Sequence, residues 1–190
     1  IIYVNDGSRD QTGDRLDALR ASDSRVRLLE LSRNFGHQSA LAAGLSRASG
    51  RACVFMDADL QDPPALLPRL VERWRAGVEV VYAVRRARPG DSLFKRWTAR
   101  LFYRGLGLIA GVSLPPDAGD FRLLDRKVVD ALIALPERHR YFRGLVSWVG
   151  FRQEGVPFDR PARAAGETKF TLWKMIRFAV DGVTSSSHVP

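Results

Sequence analysis

Over residues 1–84, short apolar runs alternate with stretches whose apolar residues recur at helical spacing, and that alternation leaves few folds open. The runs at 1–4, 26–31, 52–56 and 78–84 have the length and composition of strands. Between them, Leu16 and Leu19 mark a first helix among charges. Residues 37–48 form an alanine-rich helix in which Gly44 permits close packing, and 64–75 puts Leu66, Leu67, Leu70, Val71 and Trp74 on one face. Strands that alternate with helices predict an α/β fold, a doubly wound and mostly parallel sheet flanked by helices. Ligands of such sheets bind beyond the carboxyl ends of the strands. Asp6, Asn34 and the pair Asp57 and Asp59 all fall at such ends.

The third strand stops on Asp57-Ala58-Asp59-Leu60-Gln61-Asp62-Pro63-Pro64. Because side chains alternate faces along an extended segment, Asp57 and Asp59 are expected to project to one side, close enough to share one hard cation. Gln61 adds a neutral oxygen, and this donor set suits Mg²⁺ or Mn²⁺ with substrate phosphates completing the octahedron. Pro63 and Pro64 end the strand and suit a first helical turn. Two acids near a loop are more often simply solvated, so position at a strand end is what favours a metal. His37, His139 and His188 are scattered and read as surface or core residues, which leaves no His/Cys cluster for zinc.

The charge is uneven. The chain carries 30 Lys+Arg against 21 Asp+Glu, a net +9, and the balance up to Ala83 is even, so the excess belongs to the second half. A basic half can meet nucleic acid, anionic lipid or a phosphorylated substrate. Residues 91–110 read as a helix with Leu93, Phe94, Trp97, Leu101 and Phe102 on one side and Arg96, Arg100 and Arg104 on another, as in helices that lie on membranes. A core-packed helix with solvated arginines fits that pattern equally well. Further on, 120–124 is a short strand, 126–135 and 138–150 are helices, 151–156 is a strand, 157–166 is a loop and 170–183 is a last amphipathic helix. The only cysteine, Cys53, excludes an internal disulfide and fits a small core residue in a reducing compartment. Neither a repeat nor a linker divides the chain, so we expect one domain over 1–190, with a metal-site half at 1–84 and a basic, membrane-facing half at 85–190.

Five motifs, in order, resemble the family 2 glycosyltransferases: Asn5-Asp6-Gly7-Ser8, Arg33-Asn34-Phe35-Gly36, Asp57-Ala58-Asp59-Leu60-Gln61-Asp62-Pro63-Pro64, Gly119-Asp120-Phe121-Arg122-Leu123 and Gly166-Glu167-Thr168-Lys169-Phe170. Within that family the likeness is to the polyprenyl-phosphate glycosyltransferases, and it covers nearly the whole chain. The resemblance implies a GT-A (Rossmann-like) fold and an inverting, metal-dependent transfer of a hexose from a UDP- or GDP-linked sugar to a polyprenyl phosphate. It implies that Asp6, Asn34 and Asp57 contact the nucleotide sugar, that Asp59 and Gln61 bind Mg²⁺ or Mn²⁺, and that Asp120 stands beside the acceptor as base or orienting group. Arg122, Arg160, Arg163 and Lys169 would meet phosphate. On the residues alone, Asp6 can equally stabilise its own turn, Asp120 can be a cap and the arginines can be solvated.

The family's opening strand and its transmembrane helices are not in this sequence, so we expect the chain to be part of a longer protein at the cytoplasmic face of a membrane, its oligomeric state left open. Rival readings fit less well. A phosphatase with Asp-x-Asp on its first strand wants Thr or Val where Gln61 stands. A processive polysaccharide synthase wants Gln-x-x-Arg-Trp, and Leu70 stands where the Gln should precede Arg73-Trp74. A nucleic-acid-binding module leaves the acids at the strand ends without purpose. A family 2 enzyme with a non-lipid acceptor remains open.

Overall fold

The computed structural model describes residues 1–85, 118–136 and 141–159. Strand β1 (Ile2–Asn5), helix α1 (Thr12–Ser22), strand β2 (Arg27–Glu30), helix α2 (His37–Arg47) and strand β3 (Ala52–Phe55) follow in the expected order. A 3₁₀ turn (Pro64–Leu66) leads into α3 (Leu67–Arg75), then β4 (Val80–Arg85). The second half contributes β5 (Ala118–Asp125), α4 (Arg126–Ala134), α5 (Phe142–Trp148) and β6 (Gln153–Phe158). The helix expected over 138–150 is described only as α5. The amphipathic segments at 91–110 and 170–183, with Arg96, Arg100, Arg160, Arg163 and Lys169, lie outside the described residues.

β1 and β2 pair in parallel as one two-stranded sheet, and the other sheet has the order β3-β5-β4-β6. β4 and β6 are parallel, whereas β5 runs antiparallel to both β3 and β4. Strand direction in the larger sheet is therefore mostly shared, as the alternation predicts, and its hydrogen-bonded pairing is mixed because one reversed strand is inserted in the middle.

That sheet is buried on both faces. Val80 and Leu124 join Leu45, Phe55, Val128, Val129, Leu132, Phe142 and Val146 in a cluster beneath α2, α4 and α5. Their sequence neighbours Val81 and Leu123 point the other way, with Leu66, Leu70, Phe121, Val156 and Phe158, against α3. Period-two alternation thus feeds two cores at once, which is why these strands read as continuous apolar runs. Pro157, expected in a loop, lies inside β6. It is tolerated because, among the described residues, β6 is an edge strand that pairs only with β4.

Two irregularities shape the site. On the β4–β5 ladder, Tyr82 pairs with Arg122 and Val84 with Ala118, so Ala83 alone opposes Gly119, Asp120 and Phe121. This bulge lifts Asp120 out of the regular ladder, a common device for re-aiming a side chain. The second is the turn after β1, where Gly7 has φ +67° and an added Cβ would come within 2.5 Å of the Arg33 carbonyl carbon and 2.6 Å of the Asn34 nitrogen. Backbone cannot retreat as a side chain can. Gly7→Ala should lower the unfolding free energy by about 3 kcal/mol, from the left-handed backbone and overpacking together, measurable as a shift in urea midpoint at constant slope.

Candidate active site

The loops after β1 and β2 are stitched together by one carboxylate. Asp6 accepts the Phe35 backbone N–H at 2.7 Å on Oδ1 and the Gly36 N–H at 2.9 Å on Oδ2, while Asn34 Nδ2 donates to the Asp6 carbonyl at 3.0 Å. Just before it, buried Asn5 accepts the Ser8 N–H at 3.0 Å and donates to Glu30 at 3.3 Å. Two of the three residues expected to contact a nucleotide sugar, Asp6 and Asn34, therefore hold each other's loops. The Arg33 guanidinium lies 4.0 Å from the centroid of the exposed Phe35 ring, adding a cation–π face to the same loop.

Past β3 the extended continuation assumed for Asp57 and Asp59 does not form. The strand ends at Phe55, the Asp57 N–H donates to Asp62 Oδ2 at 3.1 Å, the Gln61 N–H donates to Asp59 Oδ1 at 3.0 Å, and Leu60 takes a positive φ of 61°. Side-chain carboxylates have captured the backbone amides and wound the segment into a turn. Strand alternation is thus not what relates Asp57 to Asp59. Asp59 is half-buried, whereas Gln61 and Asp62 are buried at 8% and 7% exposure. Among the described residues no group of three or more His, Cys, Asp or Glu side chains could cage a metal unaided. An oxygen-only turn with one or two carboxylates still fits a hard cation that takes its remaining ligands from substrate phosphates and water.

Asp120 is held from two helices. Arg143 of α5 donates from Nε to Oδ1 at 2.9 Å and from Nη2 to Oδ2 at 3.1 Å, and His37, the first residue of α2, stands with Nε2 3.1 Å from Oδ2. Behind the bulge lies Arg122, only 4% exposed, whose Nη2 donates to the Gly119 carbonyl at 2.8 Å. Its Nε has no hydrogen-bond partner among the described residues. Arg122, read as a phosphate contact, is thus placed beneath Asp120, bracing the bulge.

The electrostatics follow from this packing. Burial alone would raise the Asp120 pKa, but the hydrogen bonds from His37 and Arg143 and the positive charges of Arg143 and Arg122 outweigh it and hold the carboxyl well below its usual range. His37 shifts upward, chiefly through its hydrogen bond to Asp120, against its own desolvation. Burial pulls Arg122 down to about 10, with Asp120 partly offsetting that, so Arg122 stays cationic at neutral pH.

His37 and Arg143 are the residues that motif reading missed. Each is a single polar side chain, 83 and 23 residues from Asp120 in sequence, and nothing local announces the meeting. His37 did carry a usable signal, since it opens a helix directly after the Asn34 loop, at a strand end where ligands are expected.

Comparison with known proteins shows the family. The family described as Glycosyl transferase family 2 matches residues 1–133. The chain is 50% identical, over all of its 190 residues, to the uncharacterised glycosyltransferase YkcC of Bacillus subtilis, of which it covers 59%. It is 43% identical, again over its full length, to the prophage bactoprenol glucosyl transferase homolog of Escherichia coli, of which it covers 62%. The chain thus spans about three-fifths of the length of these relatives. Among solved structures, glucosyl-3-phosphoglycerate synthase from Mycobacterium tuberculosis, in complex with Mn²⁺, UDP-glucose and phosphoglyceric acid, superposes with a TM-score of 0.61 at 23% identity, over 100% of this chain and 69% of that one. That likeness is one of fold. With the family matched over most of the chain and relatives aligned along its whole length, the chain belongs to glycosyl transferase family 2.

Proposed function

We propose that the protein carrying this chain transfers a hexose, with inversion, from a UDP- or GDP-linked sugar to a polyprenyl phosphate at the cytoplasmic face of a membrane. The observation that carries the reading is one imidazole, His37, standing 3.1 Å from Asp120 and 3.9 Å from Asp57. An acceptor-side and a donor-side carboxylate thus lie within one small space, as direct displacement requires. The acceptor class draws on the bactoprenol glucosyl transferase homolog of E. coli, named for a polyprenol and 43% identical along the whole chain. Among the described residues no helix is long and apolar enough to cross a membrane, so the membrane assignment rests on the acceptor.

In this reading Asp6, Asn34 and Asp57 hold the nucleotide sugar. Asp59 and Gln61 hold a divalent cation, Mg²⁺ or Mn²⁺, and the Mn²⁺ in the glucosyl-3-phosphoglycerate synthase complex supports that cofactor class. Bound there, the cation supplies charge stabilisation to the departing diphosphate, most of it in the transition state. Asp120 orients the acceptor. A carboxylate pinned by Arg143 and held far below its usual pKa is a weak base, and a phosphate oxygen already anionic at neutral pH needs little deprotonation. That oxygen attacks the anomeric carbon as the bond to the diphosphate breaks on the opposite face, and the nucleoside diphosphate leaves. Arg122 offsets charge from beneath, while Arg160, Arg163 and Lys169 meet the acceptor phosphate, which gives the basic second half its purpose.

The test is a panel of UDP- and GDP-sugars offered to membranes containing the full-length protein, with polyprenyl phosphate and with Mn²⁺, Mg²⁺ or chelator. At least one sugar should be consumed with polyprenyl phosphate and a divalent ion, and chelator should abolish the reaction. No turnover of any donor would remove the reading.

A further inference from the structure

We propose that His37 is a positioning residue for the transfer step, tying the carboxylate beside the acceptor to the donor-binding turn so that both keep one geometry during displacement. The inference rests on the functional reading above and adds a residue to it. The residues on either side of His37 are anchored, by backbone before it and by a side chain after it. Before it, the Phe35 and Gly36 N–H groups are held by Asp6 at 2.7 and 2.9 Å, and after it Gln38 Oε1 accepts the Phe142 N–H of α5 at 2.9 Å. Asp6 belongs to the β1 loop and Phe142 to the helix that also supplies Arg143. His37 is thus fixed by the donor-side loop and by the acceptor-side helix together.

From that fixed position its Nε2 reaches Asp120 at 3.1 Å and faces Asp57 at 3.9 Å. The side chain is 47% exposed, against 10% for Asp120. Half-exposed, His37 adds little to stability through this contact, so its consequence is orientation. Arg143 forks both Asp120 oxygens from α5 and sets the carboxylate plane, and His37 adds a further grip on Oδ2 from α2. His37 also faces the donor side.

The test compares His37→Ala and His37→Gln with the parent in the full-length, membrane-embedded protein. The readouts are kcat, KM for the donor, the ratio of sugar released to water to sugar placed on polyprenyl phosphate, and melting temperature. Misalignment of reacting groups costs up to about a hundredfold in rate. His37→Ala should lower kcat by about 30-fold, leave the donor KM within about twofold and raise the hydrolysis-to-transfer ratio. His37→Gln, whose amide N–H can reach Asp120, should recover most of the rate. A kcat in His37→Ala within about twofold of the parent overturns the inference. So does an equal loss in both variants that tracks a lowered melting temperature, which would make His37 merely structural. A parent that transfers no sugar fails the functional reading itself, whereas an active parent matched by His37→Ala fails only this proposal.

Discussion

Replacing Asp120 with Asn should cost both activity and stability. Transfer should fall by about a hundredfold or more in kcat, because the acceptor loses the charged group that orients it. The folded state should lose about 3 kcal/mol, because Arg122, buried to 4% exposure, is left without its counter-charge. The pH dependence separates this from simple misfolding. The Asp120 carboxyl is depressed below its ordinary value of 3.8 in the folded protein. Its stabilisation is therefore fully present above that pH and is lost as pH falls toward the folded value. The deficit of Asp120→Asn relative to the parent should be constant near neutrality and shrink in acid. Denaturation midpoints at pH 7 and below pH 4 read this directly, and a deficit that grows in acid would show that Asp120 is not held ionised by His37 and the two arginines.

Asp59→Asn should separate the two effects. The Asp59 carboxylate is half-buried and accepts the Gln61 N–H at 3.0 Å. An Asn oxygen can accept the same bond, so the turn and the melting temperature should change little. The charge, however, is gone. Weakening a cation site that stabilises a departing diphosphate should lower metal-dependent transfer by about a thousandfold, or shift the Mn²⁺ requirement upward to a similar degree. A metal titration of initial rates measures both. Parent-like rates at parent-like Mn²⁺ would remove Asp59 as a ligand.

Much of this arrangement is legible in the sequence because local rules govern it. Alternation of short apolar runs with apolar residues at helical spacing specifies β1 to β4 and the helices between them. Pro63 and Pro64 mark the entry to α3, and Asp6, Asn34 and the Asp57–Asp62 stretch fall at strand ends. What is not legible depends on partners distant in sequence. The reversed direction of β5 shows in its pairing with β3 and β4, strands distant in sequence, and the bulge at Asp120 exists only in register against Ala83. Arg122 alternates with Phe121 and Leu123 as a solvent-facing residue would, yet its strand is covered on both faces, so the guanidinium is buried. The shared side of Asp57 and Asp59 was inferred from strand geometry, and the strand stops at Phe55 because Asp59 and Asp62 capture amides of their own turn. His37 and Arg143 needed the fold to bring α2 and α5 to the same carboxylate.

The most direct measurement of the central claim uses the full-length protein with an α-linked, isotope-labelled nucleotide sugar, polyprenyl phosphate and Mn²⁺. The organic phase is extracted and the anomeric configuration of the labelled lipid is assigned by NMR. The account predicts an organic-soluble product that forms only with polyprenyl phosphate, carries a β linkage and is lost in Asp120→Asn. A product that keeps the α linkage, or label transferred to an acceptor that stays in the aqueous phase, contradicts it.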